Sequence, residues 1–408
     1  MRKKETKIFD VIIIGAGASG MMAAVTAARR GLSVLLVEHM DKAGKKLYAT
    51  GNGRCNFTNA VMDFGCYYGD EKLLQVVLPE FTNEDTLAFF HEIGIYPKEL
   101  NGYYYPNSMQ AASVVEAFVA ELEKCDVTLM LNCSLQSLEC DNNEFLVKTN
   151  LSLFRGKNVI FATGLCAAPK LGSDGFALQI LKEMGHHFTP VLPVLCGFYA
   201  KGLDFNKMAG VRCAVKLTLS SDGTVITSEH GELQMTDYGI SGIPVFQISS
   251  PAVRSLHEKK KTVVTIDFLP DLSLQEVKDE LLFRFYRNPA LQTVPELLVG
   301  LLNSKLAAPL AKRAEIVQQK LNELSIHKLA SVIHECPVTL TKIRDFSFAQ
   351  ACTGGIRTDE IHTDTLESRL VPHLYFAGEI LDVDGICGGY NLQWAWASGY
   401  VAGNAVGK

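Results

Sequence analysis

The stretch Lys7–Glu38, KIFDVIIIGAGASGMMAAVTAARRGLSVLLVE, decides the fold. Its apolar run Ile8–Ile14 is rich in β-branched residues, which is typical of a strand buried on both faces. A glycine-rich segment follows, then an Ala-rich stretch typical of a helix, then a second apolar run that ends at Glu38. This order predicts a strand–helix–strand unit that binds a dinucleotide.

The glycine spacing G-x-G-x-x-G has a physical reason in such a unit. Gly15 permits the tight turn, Gly17 lets the backbone approach a pyrophosphate, and Gly20 lets the helix pack closely on the strand. The N–H groups at the helix start offer donors and a positive dipole to that pyrophosphate. Glu38, 18 residues after Gly20, can accept hydrogen bonds from ribose hydroxyls. We therefore predict that this unit holds the adenosine and pyrophosphate of a dinucleotide.

Composition narrows the class of protein. The 408 residues carry a formal net charge of −5, and 48% of them are hydrophobic. This length suits roughly two or three domains. The charge gives no support for a nucleic-acid partner, which needs a basic face. The eleven cysteines form no C-x-x-C pair and no zinc spacing, so we expect reduced thiols, no metal site and a cytoplasmic location.

The sequence contains apolar and basic stretches that must be compared with membrane spans and signal peptides. No apolar run reaches the length of a transmembrane span. The basic N-terminus MRKKETK precedes an apolar run, but the glycine motif interrupts that run and no cleavage site follows. We therefore expect neither a membrane span nor a signal peptide.

A second candidate segment is AGKKLYATGNGRCNFTN, residues 43–59, which follows the strand that ends at Glu38. Loops at the carboxyl ends of parallel strands line the ligand crevice of such sheets. Lys46 and Arg54 carry charges suited to phosphates, and the glycines permit close backbone approach. A solvated basic turn is the alternative interpretation, and the position of the segment favours the functional one.

The sequence after residue 350 contains the same kinds of feature as the first unit: an apolar run, an acidic residue at its end, and a glycine-rich loop before a helix. Leu374–Ala377 is apolar, Gly378 and Glu379 follow, and a glycine-rich loop then opens a helix of small residues. Glu379 can accept a hydroxyl of a ribitol chain, which FAD has and NAD lacks. The N–H groups of Gly389–Leu392 can face the flavin pyrimidine ring. The second acidic residue at a strand end therefore favours FAD.

The hydrophobic pattern differs in the residues that lie between the N-terminal unit and the segment after residue 350. Residues 190–270 and 335–350 alternate or run β-branched, whereas residues 271–334 are helical in pattern. We therefore predict a discontinuous FAD-binding domain, residues 1–189 and 351–408, interrupted by a β-rich unit and a helical unit.

Five motifs together resemble one known family. VIIIGAGASGMMAA, GKKLYATGNGRCNFTN, GELQMTDYGISG, ACTGGI and LYFAGEILDVDGICGGYNLQWAWASGYVAG follow one another along nearly the whole chain. In this combination the sequence resembles the BaiN/RdsA-type NAD(P)/FAD-dependent oxidoreductases. The resemblance implies an α/β fold: a glutathione-reductase-type FAD-binding Rossmann domain interrupted by an inserted β-barrel-like unit and a helical unit. Asp237 stands where many relatives have histidine, so we assign no imidazole role there.

The resemblance also implies a set of FAD contacts. These residues are Gly15, Ala16, Gly17, Ala18, Ser19, Gly20, Glu38, Lys46, Arg54, Cys55, Leu135, Thr163, Gly164, Gly378, Glu379, Gly389, Tyr390, Asn391 and Leu392. Leu135 would place its backbone beside the adenine. No catalytic residue is assigned, because the flavin itself carries the hydride. NADH or NADPH is expected as a transient reductant, since the sequence has no second dinucleotide fingerprint.

The sequence leaves several activities open. The favoured one is NAD(P)H-dependent reduction of a C=C bond in an apolar enone, such as a 3-oxo bile acid or steroid, to which the resemblance points. The alternatives are an FAD-dependent amine oxidase that produces hydrogen peroxide, and a tRNA-modifying or non-catalytic flavoprotein. A thiol–disulfide oxidoreductase would need a second cysteine at C-x4-C spacing from Cys55, and none exists. We thus expect a small apolar substrate and no nucleic acid as partner, and the oligomeric state stays open.

Three consecutive tyrosines, Tyr103–Tyr105, precede Pro106. They could stack on a ring of a ligand. Packing against the sheet is the favoured interpretation, because aromatic side chains more often serve the core.

Overall fold

The computed structural model describes residues 7–141, 144–288, 293–316 and 320–408. The basic residues 1–6, which entered the signal-peptide argument, and residues 289–292 and 317–319 of the predicted helical unit lie outside that description. The chain divides into two compact units, Met1–Leu192 with Phe346–Lys408, and Pro193–Asp345. The sequence prediction puts these divisions at 189/190 and 350/351.

The first unit opens with the predicted strand–helix–strand order: β1 (Ile8–Ile14), α1 (Ala18–Arg29) and β2 (Val34–Val37). The next elements, in chain order, are β3 (Thr58–Asn59), β4 (Tyr67–Gly69), α2 (Glu71–Val77), α3 (Asn83–Glu92), β5 (Pro97–Leu100), β6 (Tyr103–Pro106), α4 (Ala111–Lys124), β7 (Thr128–Met130), β8 (Leu135–Asp141), β9 (Glu144–Thr149), β10 (Leu153–Phe161), α5 (Phe176–Glu183) and β11 (Leu192–Val194).

The second unit is built on a closed barrel. Its elements, in chain order, are β12 (Phe198–Lys201), α6 (Phe205–Met208), β13 (Arg212–Ser221), β14 (Thr224–Met235), β15 (Gly239–Gly242), α7 (Ile243–Gln247), α8 (Ser249–His257), β16 (Thr262–Asp267), α9 (Leu274–Arg287), α10 (Val294–Leu297), α11 (Ser304–Arg313), α12 (Glu323–His334) and β17 (Cys336–Ile343). The barrel order is β12-β15-β14-β13-β16-β17. Every second residue of β16 is buried, as a barrel that fills its interior with side chains requires.

The chain then returns to the first unit with β18 (Ala351–Thr353), β19 (Leu374–Phe376), β20 (Val383–Gly385) and α13 (Tyr390–Ala405). The main sheet of this unit has the order β7-β2-β1-β10-β9-β8, and β19 also pairs with β10. β7, β2, β1, β10 and β19 are parallel, whereas β8 and β9 are antiparallel. The predicted fold class, a Rossmann-type FAD-binding fold with a barrel and helices inserted, is confirmed.

Two features of the first unit position the candidate site. β1 is apolar and almost completely buried, as a strand covered on both faces must be. α13 packs against α1 through small residues. A Cβ atom on Gly399 or Gly403 would lie 2.4 Å from the carbonyl oxygen of Ser19 or 2.7 Å from that of Ala23. The two helices that begin at the crevice therefore share one tight interface.

In the part of the chain that the structure describes, no helix combines the length and the apolar character that a bilayer span needs.

Candidate FAD site

The turn between β1 and α1 forms a cradle of backbone atoms. A Cβ on Gly15 would lie 2.6 Å from the carbonyl oxygen of Ala162, and one on Gly20 would lie 1.8 Å from that of Gly15. Side chains at these two positions would therefore break the close packing of turn, helix and strand. Gly17 differs, because its Cβ would meet nothing within 4 Å. It is also the N-cap of α1, and no side chain caps the helix that Ala18 begins. The open N–H groups of this first turn fit a pyrophosphate.

Glu38 lies at the end of β2, next to this cradle. Its Oε2 accepts a hydrogen bond from the N–H of Ala16 at 2.8 Å, and its Oε1 accepts one from Met40 at 2.8 Å. His39 Nδ1 lies 3.1 Å from the same Oε1. Burial opposes ionisation, but the hydrogen bonds from His39, Met40 and Ala16 outweigh it and hold the pKa of the Glu38 carboxyl below its ordinary value. A carboxylate has about four acceptor positions, so Glu38 can still accept a ribose hydroxyl.

Leu135 is the first residue of β8 and is buried. The chain just before it runs beside the end of β2, since the N–H of Cys133 donates to the Glu38 carbonyl oxygen at 2.8 Å. Asn132 N–H likewise donates to the Met40 carbonyl oxygen at 2.9 Å. The structure therefore brings the segment of Leu135 to Glu38, as contact with one adenosine would need.

A second cluster forms around the carboxylate of Glu379. Its Oε1 accepts a hydrogen bond from the N–H of Cys352 at 2.9 Å. Its Oε2 accepts from Lys46 Nζ at 3.2 Å and from the N–H of Leu165 at 3.4 Å. A Cβ on Gly164 would lie 3.3 Å from Oε2, and Thr163 precedes that glycine. Predicted residues from three distant parts of the sequence thus meet in one place.

Both backbone polar groups of Gly378 form hydrogen bonds with side chains of α13. Its N–H donates to Ser398 Oγ at 2.8 Å, and its carbonyl oxygen accepts from Trp394 Nε1 at 3.1 Å. A Cβ on Gly378, whose φ is +81°, would lie 2.4 Å from Ser19 Oγ. Sequence reasoning missed Ser398 and Trp394. Their spacing of four residues, which puts both on one face of a helix, is the signal that could have found them.

The start of α13 lies at the end of a glycine turn. Gly389 is its N-cap with φ +93°, and no side chain caps the helix. The Asn391 side chain is engaged with the backbone of Gly385, accepting from its N–H at 2.9 Å and donating to its carbonyl oxygen at 2.7 Å. The Tyr390 side chain is only 6% exposed. What this segment, including Leu392, offers a ligand is therefore its backbone N–H groups.

Arg54 and Cys55 follow the 3₁₀ segment Leu47–Gly53. Arg54 is exposed, and its Nε donates to the Gly51 carbonyl oxygen at 3.2 Å. The Cys55 side chain is completely buried, and burial raises the pKa of its thiol to about 12. None of the eleven cysteines forms a disulfide. A neutral, buried thiol does not favour the thiol–disulfide alternative.

The described residues show no group of side chains that could bind a metal ion. Within residues 7–141, 144–288, 293–316 and 320–408, no three His, Cys, Asp or Glu side chains cluster as metal ligands would. The residues around the two glycine turns do fit FAD, because they combine two uncapped helix starts with two carboxylates that hold their places by backbone hydrogen bonds.

Comparison with known proteins agrees with this geometry. Residues 9–405 match the family model described as HI0933-like protein Rossmann domain. The chain is 42% identical to the 3-dehydro-bile acid delta(4,6)-reductase of Clostridium scindens, over 97% of this chain and 98% of that protein. It is 32% identical to the ribosomal RNA dihydrouridine synthase of Escherichia coli, over 96% of each.

Solved structures share the fold. The 3-ketosteroid-delta4-(5alpha)-dehydrogenase of Rhodococcus jostii RHA1 has a TM-score of 0.50 at 15% identity, covering 100% of this chain and 98% of that one. The 3-ketosteroid delta1-dehydrogenase of Sterolibacterium denitrificans has a TM-score of 0.50 at 13% identity, covering 98% and 99%. The chain thus belongs to the HI0933-like Rossmann family, which confirms the BaiN/RdsA-type family and the flavin-dependent oxidoreductase class predicted from the sequence.

Proposed function

We propose that the protein is an FAD-dependent oxidoreductase that reduces a C=C bond conjugated to a carbonyl group in a small apolar molecule. The proposed substrate class is a 3-oxo compound of the bile-acid or steroid type, and the proposed reductant is NADH or NADPH. The observation that carries the proposal is the 42% identity, over nearly all of both chains, to a reductase of 3-dehydro-bile acids.

The chain's own residues would hold FAD at two helix starts. The N–H groups from Gly15 to Gly20 bind the pyrophosphate, and Glu38 accepts ribose hydroxyls. Glu379, held by Lys46, accepts a ribitol hydroxyl, and the N–H groups of Gly389–Leu392 meet the pyrimidine ring. When bound, FAD supplies hydride transfer. Cys55 would contribute through its backbone, because its thiol is buried.

A second candidate is reduction of a uracil ring in RNA. Two relatives, 32% and 30% identical over at least 96% of this chain, are ribosomal RNA dihydrouridine synthases. A uracil ring also has a C=C bond conjugated to a carbonyl, so the same cofactor chemistry would serve. The charge of the chain favours the small substrate. RNA binding needs a basic surface, whereas the net charge is −5 and residues 193–345 carry 18 Lys and Arg against 16 Asp and Glu.

The location that we propose is the cytoplasm. None of the eleven cysteines forms a disulfide, although several are partly exposed. Such thiols persist in a reducing compartment.

The test is anaerobic. Purified FAD-loaded protein is mixed with NADH or NADPH until the visible flavin absorbance is lost, and a 3-oxo-Δ4 bile acid is then added. We expect the absorbance to return and the bile acid to gain two hydrogens by mass spectrometry. A parallel reduced sample receives an unmodified ribosomal RNA fragment, and a separate sample of oxidised protein without NADH or NADPH receives aminoacetone and oxygen. Return of absorbance only with RNA would favour the second candidate, and peroxide from the amine without consumption of the enone would favour an amine oxidase.

A further inference from the structure

Strand β6 presents an aromatic face that the FAD contacts leave unused. Side chains alternate along a strand, so Tyr103 and Tyr105 share one face while Tyr104 points to the other. β6 lies between β3 and β5, and all three tyrosines are half-buried rather than packed away in the core. A strand with partly exposed rings on one face offers a surface to a ligand with apolar rings.

One end of this face touches the turn that begins α13. A Cβ placed on Gly388 would lie 2.9 Å from Cε1 of Tyr103 and 3.0 Å from Cε2 of Tyr390. Gly388 has φ +132°, so the turn itself also favours glycine there. The Tyr103 ring therefore lies directly beside the helix start that is proposed to meet the flavin.

The other end of the face carries a fixed cation. Arg54 Cζ lies 5.4 Å from the centre of the Tyr105 ring, and Arg54 Nε donates to the Gly51 carbonyl oxygen. A Cβ on Gly51 would lie 3.5 Å from Cε1 of Tyr105, so loop and ring are in contact. The guanidinium is thus held by a hydrogen bond and by cation–π stacking. No carboxylate of the described residues forms an ion pair with it, in contrast to Arg29, which pairs with Glu92 and Glu121.

We propose that the face formed by Tyr103, Tyr105 and Arg54 binds the substrate, and that Arg54 selects molecules that carry an anionic group, a carboxylate or a phosphate. This inference rests on the proposed function and adds a role to the FAD contact proposed for Arg54. Guanidinium groups match both anions with two parallel hydrogen bonds. Two residues along a strand span about 7 Å, so one extended molecule can reach from the start of α13 to Arg54.

The experiment measures binding of two probes to the oxidised, FAD-loaded protein. One probe is a 3-oxo-Δ4 bile acid with a free carboxylate, and the other is its methyl ester, each titrated against the visible flavin spectrum. We expect the wild-type protein to bind the acid roughly tenfold more tightly, as one charge-assisted contact permits. Arg54→Gln should abolish this ratio and Arg54→Lys should keep part of it. Lys72→Gln removes an exposed cation on α2 and should leave the ratio unchanged.

The ratio separates this inference from the proposed function, because it does not depend on FAD content or turnover. An unchanged ratio in Arg54→Gln, with the enone still reduced and with the relative affinity for NADPH and NADH also unchanged, would overturn the role of Arg54 alone. Wild-type protein that neither binds nor reduces either probe would overturn both proposals. A third titration compares NADPH with NADH. Loss of a preference for NADPH in Arg54→Gln, with the acid-to-ester ratio intact, would assign the anion to the phosphate of the reductant.

Discussion

Oε2 of Glu38 lies 2.8 Å from the backbone nitrogen of Ala16, so the acidic end of β2 is tied to the turn that opens α1. The backbone cradle that we propose for the pyrophosphate and the carboxylate that we propose for the ribose are therefore joined directly by a hydrogen bond of the protein itself. Loss of the carboxylate charge should weaken both parts together.

Glu38→Gln should weaken FAD binding by roughly 10- to 100-fold, because a hydrogen bond to a charged group contributes about 1.5–3 kcal/mol. Titration of the apoprotein with FAD, followed by flavin fluorescence, measures the Kd. Glu183→Gln, at an exposed position at the end of α5, is the control and should keep the wild-type Kd. Equal affinity of both variants would contradict the role of Glu38.

Gly17→Ala and Gly20→Ala should fail in different ways. Gly17 has φ −78° and open space around its Cβ position, so alanine there should preserve the Tm while its methyl group obstructs the cradle and reduces FAD content. At Gly20 the methyl would meet the Gly15 carbonyl oxygen, and such overpacking costs about 1–3 kcal/mol or more. Thermal unfolding and FAD content, measured on both variants, check the contrast. A folded Gly17→Ala protein with normal FAD content would refute it.

His39→Gln should destabilise the protein most in mildly acidic solution. The hydrogen bond to Glu38 is the largest cause that raises the pKa of His39 above 6.5, and the pKa of Glu38 is lowered. The raised histidine pKa adds stability that is fully present below about pH 6.5 and lost as the pH rises through the folded value. The lowered carboxyl pKa adds stability that is present above about pH 4.3 and lost on further acidification.

The Tm difference between wild type and His39→Gln should therefore be largest between about pH 5 and 6, and decline above about pH 7. A partly exposed pair of this kind contributes up to about 1 kcal/mol. Differential scanning fluorimetry across this range measures the difference. A difference that grows toward alkaline pH would have the wrong sign.

Cys55→Ala should keep the rate of flavin reduction by NAD(P)H within about threefold, because a thiol with a pKa near 12 stays neutral and unreactive. In the native protein a thiol reagent should modify the exposed Cys140 and spare Cys55. Peptide mass spectrometry after labelling identifies the modified residues. Rapid labelling of Cys55, or loss of flavin reduction in the variant, would instead support a redox role for the Cys55 thiol.

The sequence predicts the two ends of the first unit well, and the barrel less well. β1, α1 and β2 follow from a strong local pattern with glycines at fixed places. By contrast, the pattern of residues 190–270 indicates β structure without the bounds of its strands, such as β14, which runs from Thr224 to Met235 and pairs with β15. This segment contains Gly231 and several polar residues, which have low strand propensity, and its pairing with the neighbouring strands β13 and β15 makes it extended.

The candidate site is likewise only partly predictable from the sequence. Glycine spacing and an acid at a strand end indicate Glu38 and Glu379 from local sequence. Sequence alone does not show that Lys46 and the N–H groups of Leu165 and Cys352 converge on the Glu379 carboxylate, because Lys46 and Leu165 lie 333 and 214 positions away from Glu379. Such convergence depends on the order of strands in the sheet, which local pattern does not encode.

The pairing of β10 with β19 has a consequence for synthesis of the protein on the ribosome. β19 is made only after the whole second unit, about 150 residues, has been translated. At about 5–20 residues per second, the roughly 210 residues from the end of β10 to the start of β19 take about 10–40 s, during which one edge of β10 lacks its final partner. The emerging chain therefore exposes an unpaired strand edge and an incomplete cofactor site until residues 374–405 are available. Free FAD can stabilise the protein only after that moment, so limiting flavin during expression should increase aggregation of completed chains that have not yet bound it.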